Sequence, residues 1–126
     1  MFVTSIPQYI QGITNAKIDL TDTDNEILYT APSDADFNAS IINSLLVSND
    51  SGSADTITVT LVSGSDTFSL FKLEEVGALS TKELLLKDLI LQSGEILKVQ
   101  AATGARLHVV ASVQEITKTR IPQSAI

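Results

Sequence analysis

The segment "DTITVTLVS" (residues 55–63) constrains the fold more than any other stretch. Ile57, Val59 and Leu61 fall on one side of an extended chain, and Thr56, Thr58 and Thr60 on the other. Strict alternation is the period of a β-strand with one buried face, and a helix does not produce it. Gly64-Ser65 then marks a tight turn, and "DTFSLFKL" (66–73) returns with Phe68 and Leu70 on one face.

The same grammar repeats along the chain. Strand-like runs are expected at 16–20, 26–30, 40–48, 95–102 and 106–116, separated by Asp-, Asn-, Ser- and Gly-rich turns. In the last two runs Leu97, Val99 and Ala101, and Leu107, Val109, Ala111 and Val113, point inward. "TKELLLKDLILQ" (81–92) fits either three helical turns or two short strands around Lys87-Asp88. The loop 49–54 reads as a hairpin connection, because Asn49, Asp50 and Gly52 tolerate the positive φ of a β-turn. About eight strands at this spacing predict an all-β protein, an antiparallel, jelly-roll-like β-sandwich. Parallel βαβ units need helices between strands, and 81–92 alone could supply one. A length of 126 residues fits one domain. Its expected division is an N-terminal arm at 1–14, a sandwich at 15–116 and a C-terminal arm at 117–126.

The arms carry apolar residues that a freely solvated tail would not keep. Phe2, Val3, Ile6, Tyr9, Ile10 and Ile13 precede the sandwich, and Ile121 and Ile126 follow it. They are the candidate interface residues, packing on a neighbour or back on their own domain. Val62, Ile96 and Val110 fall opposite the core faces of their strands, and the run at 41–47 is apolar on both sides. A second apolar face on several strands points to a buried interface.

Charge and composition exclude several functions. There are 15 acidic and 8 basic residues, a net charge of -7. Nucleic-acid binding needs clustered Lys and Arg, and Lys118 with Arg120 is no basic patch. Attraction to an anionic membrane surface is disfavoured too, and no run of about 18 apolar residues could span a bilayer. "MFVTSIPQYIQG" lacks the basic and apolar regions of a secretory signal. With no cysteine, disulfide frameworks and thiolate metal sites are impossible.

Catalytic chemistry finds little support, and no catalytic residue is assigned. His108 is the single histidine, too few for a zinc site, and as the one available base it is expected to face solvent or an interface. Asp22, Asp24 and Glu26 alternate in "DTDNE" and are candidate calcium ligands, since alternate oxygens of a curled loop can converge on a hard cation. No glycine follows Asn25, so the EF-hand pattern is not met, and a solvated turn explains the same residues. Without Trp and with two Tyr, a sugar platform is poorly supported. No phosphate-binding glycine motif occurs. No cofactor is expected.

The order "EILYTAPS … SIINSLLVSNDSGSADTITVTL … STKELLLKDLILQSGEILKVQAATGARLHVVASVQEI" resembles small β-sandwich virion proteins of tailed bacteriophages, over residues 26 to 116. The resemblance implies a non-enzymatic structural role in the virion. The expected function is a capsid decoration or cement protein that binds the head lattice. It implies self-association, trimeric in many decoration proteins, and contact with the major capsid protein or other virion subunits. The alternative is a tail, baseplate or fibre-associated adhesion module that binds carbohydrate or depends on calcium.

Overall fold

A computed structural model describes residues 5–122, with side chains described for 11–118. Among the described residues nine strands form: β1 (Ser5–Leu20), β2 (Glu26–Thr30), β3 (Phe37–Asn49), β4 (Asp55–Ser63), β5 (Asp66–Val76), β6 (Ser80–Glu83), β7 (Leu89–Leu91), β8 (Ile96–Ala101) and β9 (Leu107–Pro122). One sheet runs β1-β9-β3-β6, with β7 also on β3, and the other runs β2-β8-β4-β5. All pairings are antiparallel. Because β6 and β7 occupy one position on β3, the order is that of a jelly roll with eight strand positions.

The alternation read from the sequence builds the core. Ile57 and Val59 of β4, Leu97 and Val99 of β8, and Leu107, Val109 and Ala111 of β9 are all buried between the sheets. Gly64 takes φ 61° in the two-residue β4–β5 loop, a conformation that strains a side chain at the first loop position. Residues 81–92 resolve into the two short strands, with a break at 84–88.

At that break β3 loses a ladder partner, and a side chain replaces it. The Glu83 carboxylate accepts the Leu45 amide at 2.7 Å, the Leu85 amide at 3.2 Å and the Ser44 hydroxyl. Desolvation opposes ionisation of Glu83, but these donors outweigh it and hold the carboxyl below its usual range.

One sequence expectation is corrected here. β3 and β4 lie in different sheets, so residues 50–54 are a sheet-to-sheet crossover and not a hairpin turn. The sequence 16–20 extends back to Ser5, and 106–116 extends on to Pro122. The two extensions pair with each other in unbroken register, from Leu20 opposite Leu107 to Ser5 opposite Pro122. β3 reaches β9 only as far as Phe37 opposite Thr117, where the Lys118 amide donates to the Asp36 carbonyl at 2.6 Å. Beyond it, 5–9 and 118–122 continue as a two-stranded ribbon.

At the base of this ribbon one phenol ties the sheets together. Tyr29 of β2 bonds Ser40 of β3 at 2.6 Å and donates to the Glu115 carboxylate of β9. Ser40 and Glu115 are themselves cross-strand partners. Burial, then the bond to Glu115, pushes the Tyr29 pKa up from 10.0 to about 12. The unfolded chain therefore releases this proton first. Stability from Tyr29 is complete below pH 10 and falls as pH rises toward 12. Tyr29→Phe should cost about 1 kcal/mol at pH 7. In urea titrations across pH 9–12, the variant should lose less stability than the parent.

Candidate interaction surfaces

One end of the sandwich collects the loops 21–25, 50–54, 77–79 and 102–106. They are fastened to each other by hydrogen bonds that the sequence alone does not reveal. Asn49 is buried; its amide donates to the Ser53 and Val76 carbonyls at 2.9 and 3.2 Å. Its carbonyl oxygen accepts the Ser51 amide and hydroxyl at 2.9 and 2.8 Å. Asp55 is buried too and accepts the Thr56 amide at 2.8 Å and the Thr103 amide at 3.1 Å. Arg106 donates to the Ala54 carbonyl at 3.1 Å. A Cβ at Gly104 would lie 2.7 Å from the Thr21 carbonyl oxygen, so the β8–β9 turn docks on the β1–β2 loop through a bare backbone. The crossover loop's Asn and Asp are thus structural fasteners.

His108 sits on the outer face of the first sheet, half-exposed, beside Asp19 across β1 and Ser48 across β3. Its Nδ1 lies 3.2 Å from Asp19 Oδ1 and its Nε2 lies 3.1 Å from Asp50 Oδ2. A carboxylate thus faces each ring nitrogen, one from β1 and one from the crossover loop. A nucleophile's base needs one nitrogen free to accept a hydroxyl proton, and here carboxylates face both. The contacts join β1, β9 and the crossover loop.

The structure brings Asp22, Asp24 and Glu26 together. One oxygen from each lies within 4.8 Å of the others, on an exposed turn. Asp22 Oδ1 already accepts the Asp24 amide at 2.9 Å, the local bond that shapes an Asx-turn.

Of the candidate interface residues, Phe2, Val3 and Ile126 lie outside the described residues. Ile6, Tyr9, Ile10 and Ile121 have their backbone in the paired strands, with Ile6 opposite Ile121, but their side chains lie outside the described set. Ile13 is 82% exposed on β1. It starts an outward cross-strand row, Ile13–Gln114–Ile41–Ile90, that traverses the whole sheet. A second row, Lys17–Val110–Leu46–Glu83, runs parallel to it. Ile90, Leu46 and Val110 are exposed in these rows, and Leu86 stands fully exposed in the β6–β7 break. Val62 and Ile96 pair on the outer face of the other sheet and are half-buried. The double-sided apolar pattern of 41–47 and the position of Val110 made the first face readable. Ile90 was hidden because 81–92 had two readings.

No protein-family profile matches this chain, and no curated protein matches it. Solved structures do. A chain of the acid-stable capsid of the Helicobacter pylori bacteriophage KHP30 aligns over 90% of this chain and 98% of its own, at 11% identity and a TM-score of 0.54. A chain of Bacillus endospore appendages, a family of disulfide-linked pili, aligns over 91% and 94%, at 11% identity and a TM-score of 0.52. A chain of infectious bursal disease virus, Gx strain, aligns over 90% of this chain at 10% identity and a TM-score of 0.52. This chain spans 32% of the length of that viral chain. The likeness is one of fold. The disulfide linkage named for the pili has no counterpart in a chain without cysteine.

Asn49→Ala should destabilise the protein by on the order of 2 kcal/mol, because the buried Val76 carbonyl loses its donor and the bonds to Ser51 and Ser53 go with it. Chemical denaturation measures the loss, and an unchanged midpoint would remove Asn49 as the fastener of this end.

Proposed function

We propose that the chain is a non-enzymatic structural subunit of a phage virion, and more finely a decoration or cement protein of the capsid. The observation that carries this reading is the β1–β9 ribbon. Residues 5–9 and 118–122 pair with each other beyond the last β3 contact. A two-stranded ribbon is marginal in water by itself, so it gains most when a neighbour supplies a third strand or an apolar face. The full-length fold match to a phage capsid chain supports the same reading.

In this reading the subunit sits on or between copies of the major capsid protein, and the arms Met1–Thr14 and Thr117–Ile126 clamp those neighbours. Phe2, Val3, Ile6, Tyr9, Ile10, Ile13, Ile121 and Ile126 supply the apolar contacts. Self-association belongs to it, and the trimer implied by the resemblance is one closed form. Each contact is weak, and repetition on a symmetric lattice makes occupancy high. Deleting residues 1–10 should abolish co-sedimentation with heads of the same phage, while thermal unfolding remains cooperative. Undiminished occupancy would refute the clamp.

A second reading, a calcium-dependent adhesion module of the tail or fibre, is favoured by one observation: the convergence of Asp22, Asp24 and Glu26. The decoration reading expects no rise in melting temperature with millimolar CaCl₂. A rise that Asp24→Asn removes would favour the adhesion module.

A further inference from the structure

Sheet edges invite pairing with other chains, and proteins blunt them with short strands, bulges, charges or proline. Three of the four edges here carry such devices. β2 has five residues and a register shift between Ile27 and Tyr29. β5 has two register shifts against β4, places Leu73 at φ 53° and carries Lys72, Glu74 and Glu75. The edge formed by β6 and β7 is cut into pieces of four and three residues.

The fourth edge is different. β1 is sixteen residues long and pairs with β9 without a single register shift. Among the described residues, β9 alone pairs with it. Pro7, Lys17 and Asp19 are its blunting residues, the stretch from Gln8 to Ala16 carries no charge, and every residue from Gln8 to Leu20 keeps its amide.

Charge singles out the same strand. In a chain of net charge -7 every acidic residue lies between Asp19 and Glu115, and the first charged side chain is Lys17. Two like-charged copies approach at least electrostatic cost along a segment without charge.

We propose that β1 is a self-association edge that pairs antiparallel with β1 of a second copy. The proposal rests on the assembly reading above and names its partner and surface. The partner follows from the edges: in a second copy, β1 is the long edge without bulges and with little charge. A two-fold axis normal to the sheet runs the two β1 strands antiparallel and makes an isologous contact. The two five-stranded sheets then join into one, and the outward row containing Ile13 continues across the junction.

The test is sedimentation equilibrium of the full chain over a concentration series, with hydrogen exchange at each concentration. A monomer–dimer equilibrium is expected, with alternate amides of Gln11–Leu20 gaining protection as dimer forms. Thr14→Lys with Asn15→Lys brings like charges together across the two-fold and should raise the dimer Kd by about tenfold or more. Thr67→Lys with Ser69→Lys, on the blunted β5 edge, should leave it within about twofold. A monomer at all concentrations overturns the proposal. So does a trimer or other oligomer whose β1 amides stay unprotected, or a dimer that both variant pairs weaken equally. If the β1 variant fails to fold, the exchange pattern of the parent protein decides. Head co-sedimentation is scored separately, so loss of this edge contact leaves the virion role to stand or fall by itself.

Discussion

The two-residue turn at Gly64–Ser65 sets β4 on β5, and the rest of the chain pairs in mirror order around it. β3 pairs with β6 and β7, β2 with β8, and β1 with β9, so each strand of the first half meets its counterpart in the second. The molecule is one long hairpin rolled onto itself, and the rolling adds the β3–β9 and β4–β8 pairings that close each sheet. The longest pairing, β1 on β9, joins the two ends of the chain. Its contacts are the most distant in sequence, so they repay their loop-closure entropy last. That places the terminal ribbon at the least self-sufficient point of the fold, where a partner has most to contribute.

Where the mirror pairing breaks, polar side chains take over the work of the ladder. Glu83 accepts the Leu45 amide at the β6–β7 break, Asn49 serves the Val76 carbonyl at the crossover, and Tyr29 bridges the sheets at the base of the ribbon. A buried polar group left unpaired is costly, and a sandwich with loops crossing between sheets creates many such groups. Among the described residues, one buried side-chain atom, Thr60 Oγ1, lacks a partner. Asn49 fastens the loop end, and the β1–β9 ribbon leaves the sandwich at the opposite end.

The outward rows, apolar at Ile13, Ile41, Ile90, Val110 and Leu46, and the β1 edge lie on the same sheet. Ile13 belongs to both: its side chain is exposed on the outer face and its backbone lies on the open edge. His108 and its two aspartates occupy the loop end of this sheet, away from the ribbon, and hold β1 onto the crossover loop.

Period-two alternation determined the strand class, the inward faces of β4, β8 and β9, and the all-β fold, because the side-chain direction of an extended chain follows from residue spacing alone. The apolar second face was legible for the same reason in Val110 and the 41–47 run. Three features were decided only by the tertiary structure. The loop at 49–54 has the residues of a turn, but turn chemistry is identical whether the next strand joins the same sheet or the facing one. The arms pair with each other across more than a hundred residues of sequence, a separation over which no local pattern carries information. The carboxylates that flank His108 come from β1 and the crossover loop, so their convergence depends on how the hairpin rolls. Local spacing sets which way a side chain points, and only the closed sheets set what it meets.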